Sequence, residues 1–393
     1  MLLYMKRTGG IDMFDNVGNV RFMQKLNREK ALSFIRKNSP VSRNELAKIT
    51  GLSLSSITNI INFFIDSNLV TETGRIKNAG AGRRAVMLEF NASAYSIIAI
   101  NIEPDEATVS ITDLVGGILE SESVAISKKE TADKVLSVIE ERVLSVIGKR
   151  ANVKAIGFAV SGHVSPDGKV SSSVMDWDRV DVKTRFEKSC GVLVYISNNT
   201  KTKGLWTIRA LNDEMHKNIV FLDMSSDGIG IINAYEGEIN AAVAGEFGHT
   251  VISAADGELR CLENVCSVGY SELRYEELSG EPVPISDIHK RACGGNKIAR
   301  RVIDEACGYM SAAIINLIMM FEPDLIIVNA SELFEIEPMY NAAIDLAVSH
   351  TARLAMKTPE FKKVFVASAQ SAQGAAQIAA DELFGISAPD DIL

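Results

Sequence analysis

The sequence predicts a mixed α/β protein in two parts: a small winged helix-turn-helix head, then a two-lobed body of alternating strands and helices. Three observations carry this reading. Residues 43–67 hold two capped helical stretches joined by a glycine turn, and two strand-like runs around a glycine-rich basic loop follow. Beyond residue 95, apolar runs of strand length alternate with amphipathic stretches, as in an α/β body. The charge also changes sign between the parts. Residues 1–90 carry 14 Lys and Arg against 7 Asp and Glu, and the rest carries 27 against 43. A basic head on an acidic body is the distribution expected of a nucleic-acid reader with a separate sensor.

A length of 393 residues allows two or three domains. We place the boundaries at 1–19, expected to be disordered, at 20–90 for the head and at 91–393 for the body. No apolar run reaches the ~20 residues that a membrane span needs. The longest, 310–321, is interrupted by Ser311 and Asn316 and reads as a buried helix. The start of the chain lacks a signal-peptide pattern. The five cysteines form no CxxC pair and read as reduced thiols. The expectation is a cytoplasmic protein with no membrane partner.

Within the head, Ala31, Leu32, Phe34 and Ile35 fall at helical spacing over 27–38, and Pro40 ends that helix. Ser42 and Glu45 fit a capping box for a short helix over 43–49 that stops at Gly51. Ser53 caps a second helix, through Ser67, with Ile57, Ile60, Ile61 and Phe64 facing inward. Strand-like runs at 69–73 and 85–90 flank a glycine-rich loop with the cations Arg75, Lys77, Arg83 and Arg84. Such a wing lets arginines reach phosphates or a narrow minor groove, although a solvated hairpin tip has the same composition. At the N-terminal end of the second helix, Ser55, Ser56, Thr58 and Asn59 are the exposed candidates for base contact. Asn59 suits adenine and the Thr58 methyl suits thymine. None is charged, so phosphate affinity is assigned to Arg43, Lys48 and the wing.

In the body, 95–102, 107–113, 153–160, 192–197, 219–223 and 325–328 read as strands, and 131–147 as an amphipathic helix. Four stretches then carry a resemblance: 27–69 with Ser42-Arg43-Asn44-Glu45-Leu46-Ala47 and Gly51-Leu52-Ser53; the strand and turn 155–162 ending in Gly162; Ala244-Gly245-Glu246-Phe247-Gly248-His249; and Cys261-Leu262-Glu263. Together they resemble the ROK family (repressors, open reading frames and sugar kinases), in its repressor-type form, from about residue 20 to 380. The resemblance implies an actin-like (ribonuclease H-like) ATPase fold with a sugar site between its lobes. It assigns sugar contact to Gly162, Asn198, Asn199, Glu246, His249 and Glu263. Carboxylates and amides suit adjacent hydroxyls, since an unmet partner in a dry site costs ~1–3 kcal/mol. Without the resemblance, Glu246 and His249 read first as structural hydrogen-bonding groups after a glycine turn.

Departures from the family pattern point away from kinase chemistry. Asn199 stands where the kinases place the aspartate base, and a carboxamide cannot take a proton, a contribution typically worth 10²–10⁴-fold. The phosphate loop of the kinases is replaced by Asn101-Ile102-Glu103-Pro104-Asp105, with a proline that lacks an N–H and two flanking acids. Ser226-Asp227-Gly228-Ile229-Gly230 adds an acid to the second phosphate loop, and Asn329-Ala330 replaces a Gly-Gly pair. No ATP and no catalytic residue are therefore expected. Zinc is not expected either: of the family's ligands only His249 and Cys261 remain, and Cys266 would make three where structural sites use four.

The expected function is a sugar-responsive transcriptional regulator of the repressor type. Its partners would be double-stranded operator DNA and a small sugar effector, and it would act as a homodimer or homotetramer whose lobe closure sets the spacing of two heads. The alternatives are a sugar kinase with a DNA-binding appendage, and a regulator whose body binds a protein partner.

Overall fold

The computed structural model describes residues 20–76, 85–213, 215–225, 228–240, 245–254, 257–330, 337–354 and 356–385. Contacts divide the chain into two compact units, 1–199 with 371–393, and 200–370. The segment 1–19 and most of the wing loop, including Lys77, Arg83 and Arg84, lie outside the described residues.

The head consists of α1 (Val20–Asn38), β1 (Val41–Ser42), α2 (Arg43–Thr50), α3 (Leu54–Asp66), β2 (Val70–Ile76) and β3 (Ala85–Phe90). Its three strands pair in the order β1-β3-β2. The first helix begins seven residues before the apolar spacing does. Its extra turns, rich in Arg, Met, Gln, Lys and Leu, are good helix formers that need no buried face. The capping box at α2 is formed: Ser42 Oγ accepts from the Glu45 backbone N–H at 3.3 Å, and Glu45 Oε2 accepts from the Ser42 N–H at 2.7 Å. Gly51 closes the helix at φ 73°, a left-handed geometry that glycine adopts without penalty.

The rest of the first unit is built on β4 (Ser96–Ile102), β5 (Glu106–Thr112), β6 (Ile118–Ala125), α4 (Ala132–Ile147) and β7 (Val153–Val160). There follow β8 (His163–Val164), β9 (Lys169–Ser172), β10 (Trp177–Asp181), α5 (Val182–Cys190) and β11 (Leu193–Asn198). The main sheet runs β11-β7-β4-β5-β6, with β4, β7 and β11 parallel and β5 and β6 antiparallel. Helices α4 and α5 cover one face through Val135, Ile139, Val143 and Phe186, against Ile98, Ile100 and Phe158. The C-terminal helix, Ser368–Leu383, covers the other through Ala372, Ala376, Ala379 and Ala380, against Ile97, Ala99 and Ala155. It lies so close that a Cβ on Gly157 would stand 2.4 Å from the Ala375 carbonyl oxygen. The same core holds Ala31, Leu32, Ile35 and Leu88 of the head, so head and lobe are continuous by contact across residue 90.

The second unit contains α6 (Asn199–Leu211), β12 (Asn218–Ser225), β13 (Gly228–Tyr235), β14 (Glu238–Ile239), a 3-10 turn (Phe247–His249), β15 (Val251–Ser253) and β16 (Leu259–Cys261). Beyond these come α7 (Leu262–Val265), α8 (Val268–Ser279), α9 (Ile285–Cys293), α10 (Lys297–Phe321), β17 (Leu325–Asn329), α11 (Glu337–Ala352) and β18 (Glu360–Val364). Its sheet, β14-β13-β12-β17-β18, repeats the pattern of the first: a central strand continued on one side by an antiparallel meander and on the other by two strands parallel to it. The buried helix read at 310–321 extends back to Lys297. By length and composition α10 could cross a bilayer, yet Val302, Met310, Ile314, Leu317 and Ile318 form the core of this unit.

Candidate functional site

The DNA-reading candidates sit at the start of α3. Ser53 caps the helix, its Oγ accepting from the Ser56 N–H at 3.1 Å. The same oxygen is 2.8 Å from Ser55 Oγ and 2.9 Å from Ser56 Oγ. Thr58 Oγ1 donates to the Leu54 carbonyl at 2.8 Å. Ser55 and Asn59 are exposed, and Ser56 and Thr58 half-buried. Arg43 is not a free cation: its Nη2 donates to Glu72 Oε1 on β2 at 2.7 Å, so a phosphate would have to compete with that carboxylate. The side chains of Arg75, Lys77, Arg83 and Arg84 lie outside the described residues. Sequence reading missed Ile49 and Leu54, apolar residues half exposed on either side of the helix-turn-helix bend.

In the first unit, two of the sugar candidates meet. Strands β7 and β11 run parallel with Val160 opposite Asn198, so the turn after β7 lies beside the end of β11. Asn198 Nδ2 donates to the Gly162 carbonyl at 2.7 Å. Gly162 has φ 106°, and a Cβ there would stand 2.3 Å from the Ser171 carbonyl oxygen, so only glycine fits. Ends of parallel strands are where open α/β sheets take their ligands. Asn199, buried, begins α6.

In the second unit, three candidates converge. The β15–β16 ribbon pairs Val251 with Cys261, folding the segment before it back onto the segment after it. His249 Nδ1 then stands 3.4 Å from Glu263 Oε1, and His249 Nε2 3.8 Å from Glu246 Oε2. The imidazole is 61% exposed, with both carboxylates more sheltered, so the group opens to solvent rather than serving the core. Phe247, between Glu246 and His249, anchors the turn in the core. Gly248 is sterically required, because a Cβ would approach the Ile229 carbonyl oxygen to 2.9 Å as well as Glu263 Oε2 to 2.7 Å. Cys266 does not join this group. It is buried in the core, and desolvation pushes its thiol well above the usual range, which makes it a poor metal ligand. Among the described residues no group of three or more His, Cys, Asp or Glu is placed so that it could hold a metal ion.

Around the segments that carry phosphate chemistry in sugar kinases, each unit is closed on itself. In the first, the Glu103 N–H donates to the Glu106 carbonyl at 2.9 Å, making a tight turn around Pro104, and the Asn101 amide donates to Glu103 Oε1. In the second, Lys203 Nζ lies 3.3 Å from both Asp223 Oδ2 and Ser225 Oγ. Asn329 Nδ2 donates to Asp223 Oδ1 at 2.7 Å, and Asn329 Oδ1 accepts from the Val366 N–H. All of Lys203, Asp223 and Asn329 are buried. Sequence reading did not find this network, since a lysine on a helix ordinarily reads as solvated. Ser226 and Asp227 lie outside the described residues.

Comparison with known proteins agrees with this geometry. Residues 26–71 match the winged helix-turn-helix DNA-binding family and residues 97–382 the ROK family. The xylose repressor of Bacillus spizizenii is 29% identical over 352 residues, covering 85% of this chain and 89% of its own. The DNA-binding transcriptional dual regulator NagC of Escherichia coli is 25% identical over 370 residues, covering 87% and 89%. A crystal structure of a ROK family transcriptional regulator, a homologue of the Escherichia coli MLC protein, superposes with a TM-score of 0.70 at 22% identity, covering 92% of this chain and 98% of that one. With its body matched almost from end to end, the chain belongs to the ROK family.

Proposed function

We propose that this protein is a sugar-responsive transcriptional repressor whose winged helix binds operator DNA and whose ROK body senses a sugar without phosphorylating it. One observation carries the sensing half: His249 flanked by Glu246 and Glu263, an exposed acid–imidazole–acid group held by a glycine that tolerates no side chain. Such a group offers acceptors and one donor to adjacent hydroxyls, the pattern a pyranose presents. In the first unit, the amides of Asn198 and Asn199 and the Gly162 turn are the further residues proposed for sugar contact. Xylose and other pentoses head the panel of effectors, after the xylose repressor named above.

The absence of catalysis rests on Asn199 and on the proline turn at Pro104. Both support a reader of sugars rather than a kinase, and neither ATP nor zinc has a part in the proposal. The protein acts in the cytoplasm as a homodimer or homotetramer, since two heads are needed for two half-sites. The effector switches DNA affinity only by binding the DNA-competent and released states unequally. Titrating a promoter duplex with the protein in the presence of each sugar tests this. A sugar that shifts the affinity supports the proposal, and a full panel without effect removes the sensor from it.

A further inference from the structure

The sequence of the recognition helix α3, LSSITNIINFFID, contains no arginine, lysine or glutamine. Guanine is read in the major groove mainly by arginine or lysine on O6 and N7, so this helix lacks its usual readers. Its hydroxyls are largely engaged within the helix: Ser55 and Ser56 bond Ser53, and Thr58 bonds the Leu54 carbonyl. With its proton given to Leu54, Thr58 offers the groove an acceptor oxygen and its methyl group. Two kinds of reader remain. One is the exposed Asn59 amide, matched to adenine. The other is apolar: Leu54, 50% exposed in the first helical turn, and Ile49, 51% exposed at the end of α2.

A single exposed leucine is ordinarily without meaning. This one stands where recognition helices meet base edges, one turn before Thr58, while Ile57, Ile60, Ile61 and Phe64 of α3 are buried in the head's core and Phe63 and Ile65 are half-buried. The only apolar group on a base edge in the major groove is the thymine C5-methyl. We propose that Leu54, together with Thr58 and Ile49, reads thymine methyl groups, and that with Asn59 on adenine it restricts the contacted operator positions to A·T pairs. This depends only on the head and not on the sugar reading of the body.

Selection of bound duplexes from a random pool by the full-length protein gives the probe, and the winning duplex is then resynthesised with uracil replacing thymine at one position at a time. We expect A·T pairs at the positions contacted by α3. Loss of a contacted methyl should weaken binding roughly fourfold, what burying one such carbon is worth. In Leu54→Ala one of those positions should become indifferent to uracil while the others keep their dependence, and Leu54→Met should restore it. Since Leu54 is exposed, its substitution leaves the fold intact, and an unchanged melting temperature confirms that. Winning duplexes with G·C at the contacted positions would overturn the assignment, as would a uracil penalty identical in wild type and Leu54→Ala.

Discussion

Arg36 of the head and Asp381 of the C-terminal helix form an ion pair, with Nη1 and Oδ1 3.0 Å apart. The guanidinium also lies 5.7 Å from the ring centroids of Phe90 and Phe384, so it joins α1, β3 and the C-terminal helix. That helix in turn presses its Ala375 carbonyl against Gly157 of β7. Displacement of the helix over the sheet therefore carries the head with it. Asp381→Asn should cost about 0.5–1 kcal/mol, a modest figure because the carboxylate is one-third exposed. Its larger effect should be a weaker response of DNA affinity to the effector. Calorimetric melting and operator titration with and without sugar measure both. An undiminished response would mean that the shared apolar core alone holds the head.

His249→Ala and Glu263→Gln should impair sugar response and spare DNA binding, because both residues lie in the second unit and the head lies in the first. A lost hydrogen bond to a sugar hydroxyl costs ~1–3 kcal/mol, so half-maximal response should need about 5- to 150-fold more effector. Gly248→Ala should act in the same direction by displacing the Glu263 carboxylate. Variants that respond at the wild-type sugar concentration would remove this group from the sensor.

Restoring one catalytic feature should not restore a kinase. Asn199→Asp supplies a carboxylate, but Pro104 still lacks an N–H for phosphate, and Lys203, Asp223 and Asn329 remain occupied with one another. We expect no ATP-dependent phosphorylation of any sugar above an enzyme-free blank, in wild type or in this variant. A coupled assay with sustained turnover in Asn199→Asp would show that the base alone had been missing.

The head was legible because its signals are local. Ser42 with Glu45, Ser53 and Gly51 mark helix ends within a few residues, and each occupies the cap expected of it. Strand β7 matched its reading from Val153 to Val160, since an apolar run between polar ends has few other fates. The contacts that matter across long sequence distances were not legible. Nothing in the spacing of Arg36 and Asp381, or of Lys203 and Asp223, brings them together; only sheet order and helix packing do. The convergence of Glu246, His249 and Glu263 was accessible through family resemblance alone, because the ribbon that folds them together is short and aperiodic. The continuity of head and lobe escaped notice because the helix joining them lies almost 300 residues downstream of the head.

His216 should make the second unit sensitive to mild changes of pH. Its Nδ1 lies 2.7 Å from Asp213 Oδ2 and its Nε2 3.2 Å from Glu360 Oε2, clasping the loop after α6 to the start of β18. The hydrogen bond donated to Asp213, with the nearby charges of Glu360 and Asp324, raises the imidazole above its ordinary value of 6.5. A raised folded value stabilises the protein fully below the unfolded value, and that contribution is lost as pH rises through the folded one. Asp213 works in the opposite sense. Its folded value is depressed below 3.8, chiefly by the same His216 bond, so its contribution is present above that value and fades as pH falls. The clasp is strongest in the window between the two. Melting temperature should therefore decline from about pH 6 toward pH 8, and His216→Gln should flatten that decline while lowering stability most at pH 5–6. Equal losses at pH 5.5 and pH 8.5 would show that His216 acts by packing and not by charge.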